Sequence, residues 1–196
     1  MANCIGEIAG NIGLNCDSPI DGGYTGRGVY IPASVGATLT RDAQNPRIVT
    51  NITIPSGKKV VSIDNEGVAA PFDGSSTTGN NDAGLIKFTK VVAMRIPERG
   101  ADFSKNVLEP LVLSGRGGML ILEKQDKVGD GSFEMIGAQS AAKVVDPSTV
   151  VRNENENGGA WSASMQASER YAEVTLFDTD YETTLAKFES LLAQAF

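Results

Sequence analysis

The residues that could perform chemistry in this chain of 196 residues are carboxylates, lysines and hydroxyls, because the sequence contains no histidine. Histidine is the usual acid–base group near neutral pH and the commonest metal-binding side chain. Its absence excludes Ser-His-Asp and Cys-His arrangements and most zinc and non-haem iron sites. Paired carboxylates or a Ser–Lys dyad are still compatible with the composition. We predict that the chain is not an enzyme.

Two glycine-containing segments resemble anion-binding loops only in part. Ser56-Gly57-Lys58-Lys59 lacks the first glycine and the Ser or Thr of a phosphate-binding loop, because Ile52 and Lys59 occupy those positions. Gly115-Arg116-Gly117-Gly118 follows a predicted helix, so the helix dipole points the wrong way for an anion. We interpret the first segment as a hairpin turn and the second as a helix stop.

Neither the acidic segments nor the cysteines predict a metal site. Segments 126–130 and 153–157 offer oxygen ligands but lack the spaced ligands and terminal glutamate of an EF-hand loop. Cys4 and Cys16 either form a disulfide that fastens the N-terminal segment or are two reduced side chains. The lack of an export signal favours the reduced state. We expect no metal and no cofactor.

Charge and hydropathy restrict the partners of the chain. A net charge of −7 argues against tight binding of nucleic acid, which depends on counterion release by basic residues. The same charge is compatible with a channel that DNA passes through without binding. No apolar segment approaches the roughly 20 residues that span a bilayer. We therefore expect synthesis in a cytoplasm and no membrane partner.

The hydrophobic pattern predicts the strands that must position these residues. Alternation with period 2 predicts long strands at 48–54, 85–96 and 161–167, and the segment MLILEKQ at 119–125 predicts a further strand. Lys90 is the exception on the apolar face of the second of these strands. Shorter strands are predicted at 28–31, 59–64, 132–136, 143–145, 150–152 and 171–177. The turn at 55–58 would join 48–54 and 59–64 into a hairpin.

Polar and helical segments complete the pattern. Asp73–Gly84 predicts a long loop, either an arm that becomes ordered against a neighbouring subunit or a loop in solvent. Asp102–Leu113 predicts a helix that begins near Asn106, which places Pro110 in or close to the first turn. A capping box of Thr179 and Glu182 begins a C-terminal helix. Its apolar stripe would pack on the domain's own sheet or in a partner's groove.

Many short strands with few helices predict a mainly β fold, a β-sandwich or open barrel with one internal helix and a C-terminal helix. Residues 1–178 would form the β domain, including an extended N-terminal arm over 1–47. Residues 179–196 would form the C-terminal helix.

The segment LNCDSPIDGG, Leu14–Gly23, resembles the opening of bacteriophage tail-tube-like virion proteins. The following order is also similar to that family: a hairpin, a polar loop, a long strand and a helix that ends in a glycine cluster. Met119–Lys124, a turn, Gly137-Ala138-Gln139 and a late hairpin continue the resemblance. The C-terminal helix is an addition to that order, which favours a ring protein of the tail or of the head-to-tail connection.

The resemblance implies a structural virion protein, made in the host cytoplasm, with a β-sandwich or barrel that is flanked by a helix. Copies would join edge to edge in a ring, sixfold or a multiple of six, and would contact neighbouring tail or connector proteins. DNA would pass through the lumen without tight binding. The expected subunit-interface residues are Cys16, Pro19, Gly22, Gly23, Gly74, Thr77, Gly79, Asn80, Asn155 and Phe196.

Two other function classes compete with this one. A surface-exposed β-sandwich adhesin or binding module would show an export signal or an exposed aromatic cluster, and the sequence shows neither. A carboxylate-dependent hydrolase would need two acids about 5–10 Å apart across a cleft. With 24 acidic residues the sequence leaves that pair open.

Overall fold

The computed structural model describes residues 22–64, 72–82, 85–98, 100–113, 115–127, 129–145, 150–152 and 159–196. The described residues form two β-sheets, an internal helix and a C-terminal helix, which confirms the predicted mainly β fold with these two helices. The strands are β1 Tyr24–Pro32, β2 Thr38–Arg41, β3 Ile48–Thr53, β4 Val61–Asp64, β5 Phe72–Asp82, β6 Leu85–Ile96, β7 Gly118–Lys124, β8 Phe133–Ile136, β9 Lys143–Val144, β10 Val151–Arg152, β11 Trp161–Glu169 and β12 Thr175–Leu176.

Seven strands form the large sheet, in the order β2-β3-β12-β8-β7-β1-β4. Its longest run of buried residues is on β7, whose sequence GMLILEK is apolar on both faces at Leu120, Ile121 and Leu122. A strand that is apolar on both faces has to be covered on both sides. The large sheet is accordingly the middle layer of the fold.

Five strands form the small sheet, with β10-β11-β6-β5 in order and β9 also paired with β11. Val92, Met94 and Met165 of this sheet pack against Leu120 and Leu122 of the large sheet. The other face of the large sheet packs against the C-terminal helix. The fold is therefore a β-sandwich with a helix on its outer face.

The C-terminal helix α3, Tyr181–Leu192, buries Phe188 and Leu191 against the large sheet. Full burial of an apolar side chain stabilises a fold by about 1.5–3 kcal/mol. The apolar stripe of the helix thus packs on the chain's own sheet. The helix begins one residue later than the predicted capping box. Asp180 is the N-cap, and its Oδ1 accepts a 2.7 Å hydrogen bond from the N–H of Thr183. Thr179 instead adopts a positive φ of 64° before the cap.

The internal helix begins earlier than predicted, at residue 101 instead of near Asn106. It comprises an α-helical start, α1 Ala101–Phe103, a π-helical turn at Ser104–Leu108, and a second α-helical part, α2 Glu109–Leu113. Pro110 is the second residue of α2, so the π turn lies just before it. A proline provides no N–H and crowds the preceding turn, and the wider π turn accommodates it inside the helix.

The predicted hairpin of 48–54 and 59–64 is wrong. Strand β3 pairs with β2 antiparallel and with β12 parallel, whereas β4 pairs with β1. The turn at 55–58 leads the chain from one side of the large sheet to the other. Tertiary pairing partners, which lie far away in the sequence, overrode the local hairpin signal.

Two expected irregular segments are strands. The predicted polar loop Asp73–Gly84 lies largely in β5, which pairs with β6 in register from Ser75 to Asp82. Part of the predicted arm over 1–47 is integral to the sandwich, because β1 lies between β7 and β4 and β2 pairs with β3. Both segments pair because a neighbouring strand offers backbone partners, whatever their own composition.

Candidate functional site

The predicted interface residues divide into three groups. Cys16, Pro19 and Asn155 lie outside the described residues, as does Cys4. Gly22 and Gly23 are exposed immediately before β1, where the carbonyl of Gly23 accepts a 3.0 Å hydrogen bond from the N–H of Gln125. This bond extends the pairing of β1 with β7. The remaining five residues lie on β5 and at the C-terminal end of the described chain.

Strand β5 brings together Gly74, Thr77, Gly79 and Asn80. The strand pairs with β6 along one side, and no described strand pairs with its other side. Residues 76–79 are exposed, including Thr77 opposite Lys90 and Gly79 opposite Phe88. The structure therefore places these four residues on one long open edge of the small sheet.

The opposite edge of the small sheet has a different character. It consists of β9 and β10, each two residues long and each paired with β11. Val151 in β10 and Val145 directly after β9 are both 49% exposed. Large apolar side chains at a strand edge favour contact with another surface, because exposed apolar area is removed from water on association.

Phe196 lies apart from both edges of the small sheet, with 86% of its surface exposed. Ala195 forms a parallel bridge with Val60, and the N–H of Val60 donates to the carbonyl of Gln194 at 3.2 Å. The ammonium of Lys59 lies 5.5 Å from the centre of the Phe196 ring. The ring is thus presented to solvent beside the entry to β4.

A group of buried ionisable side chains lies inside the sandwich, where the sequence predicts no functional residue. Lys90 of β6 is completely buried. Its Nζ lies 3.6 Å from Glu134 Oε1 of β8 and 3.5 Å from Glu169 Oε2 of β11, and it donates to the carbonyl of Met135 at 3.3 Å. Glu134 and Glu169 are buried as well. We call these three residues the buried triad.

Glu169 has two carboxylate oxygens in different environments. Its Oε1 accepts hydrogen bonds from the backbone N–H groups of Gly137, at 3.0 Å, and Gln139, at 3.3 Å. Its Oε2 is buried and accepts no hydrogen bond from the described residues, with the Lys90 ammonium at 3.5 Å as its charged neighbour. One oxygen is therefore fixed by two amides and the other faces the lysine.

Glu134 connects the triad to strands β1 and β7 of the large sheet. The hydroxyl of Tyr24 donates to its Oε2 at 2.9 Å, and Lys124 Nζ lies 3.4 Å from the same atom. Lys124 also contacts Glu173 at 2.8 Å. Burial alone would lower the pKa of Lys124, but the hydrogen bonds and charges of Glu173 and Glu134 raise it above its ordinary value.

A third buried carboxylate, Glu123, lies on the opposite face of the large sheet beneath α3. The hydroxyls of Tyr181 and Thr25 donate to it at 2.9 and 3.0 Å, and Arg27 lies 3.4 Å from its Oε2. Arg27 also pairs with Glu189 of α3. Burial and the Glu123 hydrogen bond raise the pKa of Tyr181 to about 12. This group joins the helix to the sheet.

Sequence alternation could have located the triad. Lys90 occupies an inward position of a strand that otherwise buries apolar side chains. Glu169 continues the inward series Ala163, Met165 and Ala167 by one step. Because isolated buried charges cost several kcal/mol each, a lysine and a glutamate at inward positions of paired strands must neutralise each other. The strand predicted from the sequence ends at Ala167, so Glu169 was not recognised as an inward residue.

The described residues contain no group of three or more cysteine, aspartate or glutamate side chains arranged to hold a metal ion. A cleft of about 160 Å³ is lined by Ile31, Leu39, Met119 and small residues, with no ionisable side chain. Within the described ranges, no helix has the length and apolarity required to cross a bilayer.

Comparisons with known proteins add no identification. No protein-family model matches the chain, and no curated protein and no solved structure matches it.

Proposed function

We propose that the chain is a structural virion subunit. In this proposal it assembles with copies of itself into a ring or tube of a phage tail or head-to-tail connector, around a lumen that conducts DNA. The observation that carries the proposal is the open edge of β5. Eleven residues of strand lie at the border of the small sheet, where β6 pairs with one side and no described strand pairs with the other.

An open edge of this length is a hazard for a protein that acts alone. Natural edge strands are usually short, or carry lysine or proline that prevents pairing with another chain. Strand β5, FDGSSTTGNND, contains neither residue. The exposed residues 76–79 are polar or glycine, and no described strand pairs with the outer side of β5. These properties support a strand that pairs with a second copy.

The other edge of the same sheet supplies a complementary surface. Strands β9 and β10 are short and are accompanied by exposed Val145 and Val151. Pairing of β5 of one copy with the β9–β10 edge of the next is heterologous, since two different surfaces meet. Heterologous contacts generate rings when the rotation closes. A twofold pairing of β5 with β5 would end at a dimer.

The net negative charge of the chain is compatible with a lumen that conducts DNA. With a net charge of −7, a ring of copies carries a large negative charge. Negative surfaces repel the phosphates of DNA, so DNA moves past them without the counterion release that produces tight binding.

The deciding experiment is the native mass of the purified protein across a range of concentrations, combined with negative-stain images of the same samples. The proposal predicts closed rings or tubes with a central hole, at a mass that is a multiple of the 20.6 kDa chain. A protein that stays monomeric at the highest concentrations, or that stops at a dimer, would contradict the proposal and favour the binding module.

A further inference from the structure

We propose that Lys90 and Glu169 condense inside the folded chain to form an isopeptide bond between their side chains, with Glu134 as the group that moves the proton. The three side chains occupy the interior of the sandwich. Lys90 lies within 3.6 Å of both carboxylates. This inference concerns a covalent modification and does not depend on the proposed assembly.

Glu169 has the arrangement of an activated acyl group. The N–H groups of Gly137 and Gln139 both donate to Oε1. Two backbone donors aimed at one oxygen stabilise the negative charge that develops there when a nucleophile attacks the carbon. Oε2, the oxygen that would leave, accepts no hydrogen bond from the described residues and lies 3.5 Å from the lysine nitrogen.

Lys90 is the nucleophile, and it must lose a proton before it reacts. Glu134 Oε1 lies 3.6 Å from Nζ, which allows this carboxylate to take a proton from the ammonium. The lone pair of Nζ then attacks Cδ of Glu169. The Cδ–Oε2 bond breaks, and the oxygen leaves as water with the proton returned by Glu134 and the second proton lost from nitrogen. Ammonium and carboxylate become amide and water, and no redox partner is needed.

The surroundings favour the condensed product. A buried ion pair retains much of the cost of removing two charges from water, and an amide removes both charges. Glu134 keeps Lys124 and the hydroxyl of Tyr24 as partners after the reaction, so no charge is left unpaired by it. The product water leaves a site from which bulk water is excluded, which opposes the reverse hydrolysis.

The new bond would connect two neighbouring strands of the small sheet. In the antiparallel pair of β6 and β11, Lys90 is opposite Ala167, and Glu169 is the next inward residue along β11. The two side chains therefore meet diagonally across one face of the pair. This link would fasten the strand that supports the open β5 to its neighbour.

The test is the intact mass of the full chain, purified after expression. The proposal predicts a mass lower than that of the sequence by one water, about 18 Da, in nearly all molecules. Lys90→Arg and Glu134→Gln should both restore the full sequence mass, since the first removes the nucleophile and the second removes the proton acceptor. Lys87→Arg is the matched control, because it alters an exposed lysine of the same strand that is not part of the triad, and it should keep the loss.

Tryptic digestion locates the bond. The predicted product is a branched peptide that joins 88–95 to 153–170, uncleaved after Lys90. Wild-type protein at the full sequence mass would overturn the proposal. A link on any other pair of residues, or complete condensation in the Glu134→Gln variant, would overturn the assigned roles. Circular dichroism of each variant establishes that it is folded when its mass is compared.

Discussion

The hydroxyl of Tyr181, at the first position of α3, donates a 2.9 Å hydrogen bond to Glu123 Oε1, which is buried in β7. This bond fixes the start of the C-terminal helix over the centre of the large sheet. Arg27 of β1 approaches the same carboxylate and also pairs with Glu189 on α3. The helix is thus connected to two central strands through one buried acid.

Because of the Tyr181–Glu123 hydrogen bond, we expect the stability of the fold to vary with pH in the alkaline range. The pKa of Tyr181 rises from 10.0 to about 12 because of burial and the neighbouring carboxylate. A raised pKa gives stability that is complete below the unfolded-state value and is lost as the pH rises towards the folded-state value. We expect the free energy of unfolding to decrease as the pH rises from 10.0 to about 12. Urea denaturation over a pH series measures it.

Tyr181→Phe is the control for this pH dependence. The variant lacks the titrating hydroxyl, so its free energy of unfolding should fall less over the same pH range. Tyr30, whose pKa is also raised by burial, is present in both proteins and cancels in the comparison. Identical pH profiles for the two proteins would show that the hydrogen bond does not affect stability.

Two phenylalanines near the C-terminal end of the described chain form a matched pair for packing. Phe188 is fully buried between α3 and the large sheet, where it contacts the ring of Phe133 at 5.0 Å between centres. Phe188→Ala should reduce the free energy of unfolding by about 3–5 kcal/mol, because it leaves a cavity. Phe196→Ala, at a site 86% exposed, should change it by less than about 0.5 kcal/mol. Similar losses in chemical denaturation would contradict the observed packing of α3.

Two glycines just before β7 provide a second pair of variants whose stabilities should differ. Gly117 has a φ of 64°, and a Cβ there would lie 2.2 Å from the carbonyl oxygen of Ala142. Gly117→Ala should therefore destabilise the fold by at least about 2 kcal/mol, from strain and overpacking. Gly115→Ala, two residues earlier, meets nothing within 4 Å and should be near neutral. Thermal unfolding of both variants checks this, and equal midpoints would contradict it.

The open edge of β5 can be tested with a matched pair of threonines. Thr77 on β5 and Thr40 on β2 are both exposed on strands at sheet borders. Thr77→Lys introduces a charge that opposes pairing with another chain, so we expect the assembled fraction in native mass spectra to fall at least tenfold. Thr40→Lys should leave assembly unchanged.

The second edge provides an independent variant for the same assembly. Val151→Lys places a charge on β10, and Leu113→Lys is its control on an exposed part of the internal helix. We expect the first to reduce assembly and the second to leave it intact. An unchanged mass for both Thr77→Lys and Val151→Lys would show that the subunits meet elsewhere.

The sequence was sufficient for strands whose composition and period agree with their environment. The segment MLILEKQ predicted β7 from its run of apolar residues, and the inward series from Trp161 to Ala167 predicted β11. The helical spacing of Leu185, Phe188, Leu191 and Leu192 predicted the apolar face of α3. These elements depend on local information, namely the period of the side chains.

Pairing and buried charge could not be predicted in the same way. Strand β5 is polar and was expected to be a loop, since its strand conformation comes from its ladder with β6. The partners of β3 and β4 are set by the topology of the whole sheet. Lys90 was visible as an exception, but its two partners lie 44 and 79 positions away along the chain. Only the fold brings those residues together.

The short strand β12 has a consequence for the order of folding during synthesis. It contains two residues, yet it lies between β3 and β8 and is the only described connection between the two parts of the large sheet. A ribosome adds about 5–20 residues per second, so β3 emerges well before residues 175–176. Until then the β2–β3 pair has no strand that joins it to β8 in the large sheet. The nascent chain must therefore wait with unpaired strand borders, at a stage when chaperones would be most useful to it.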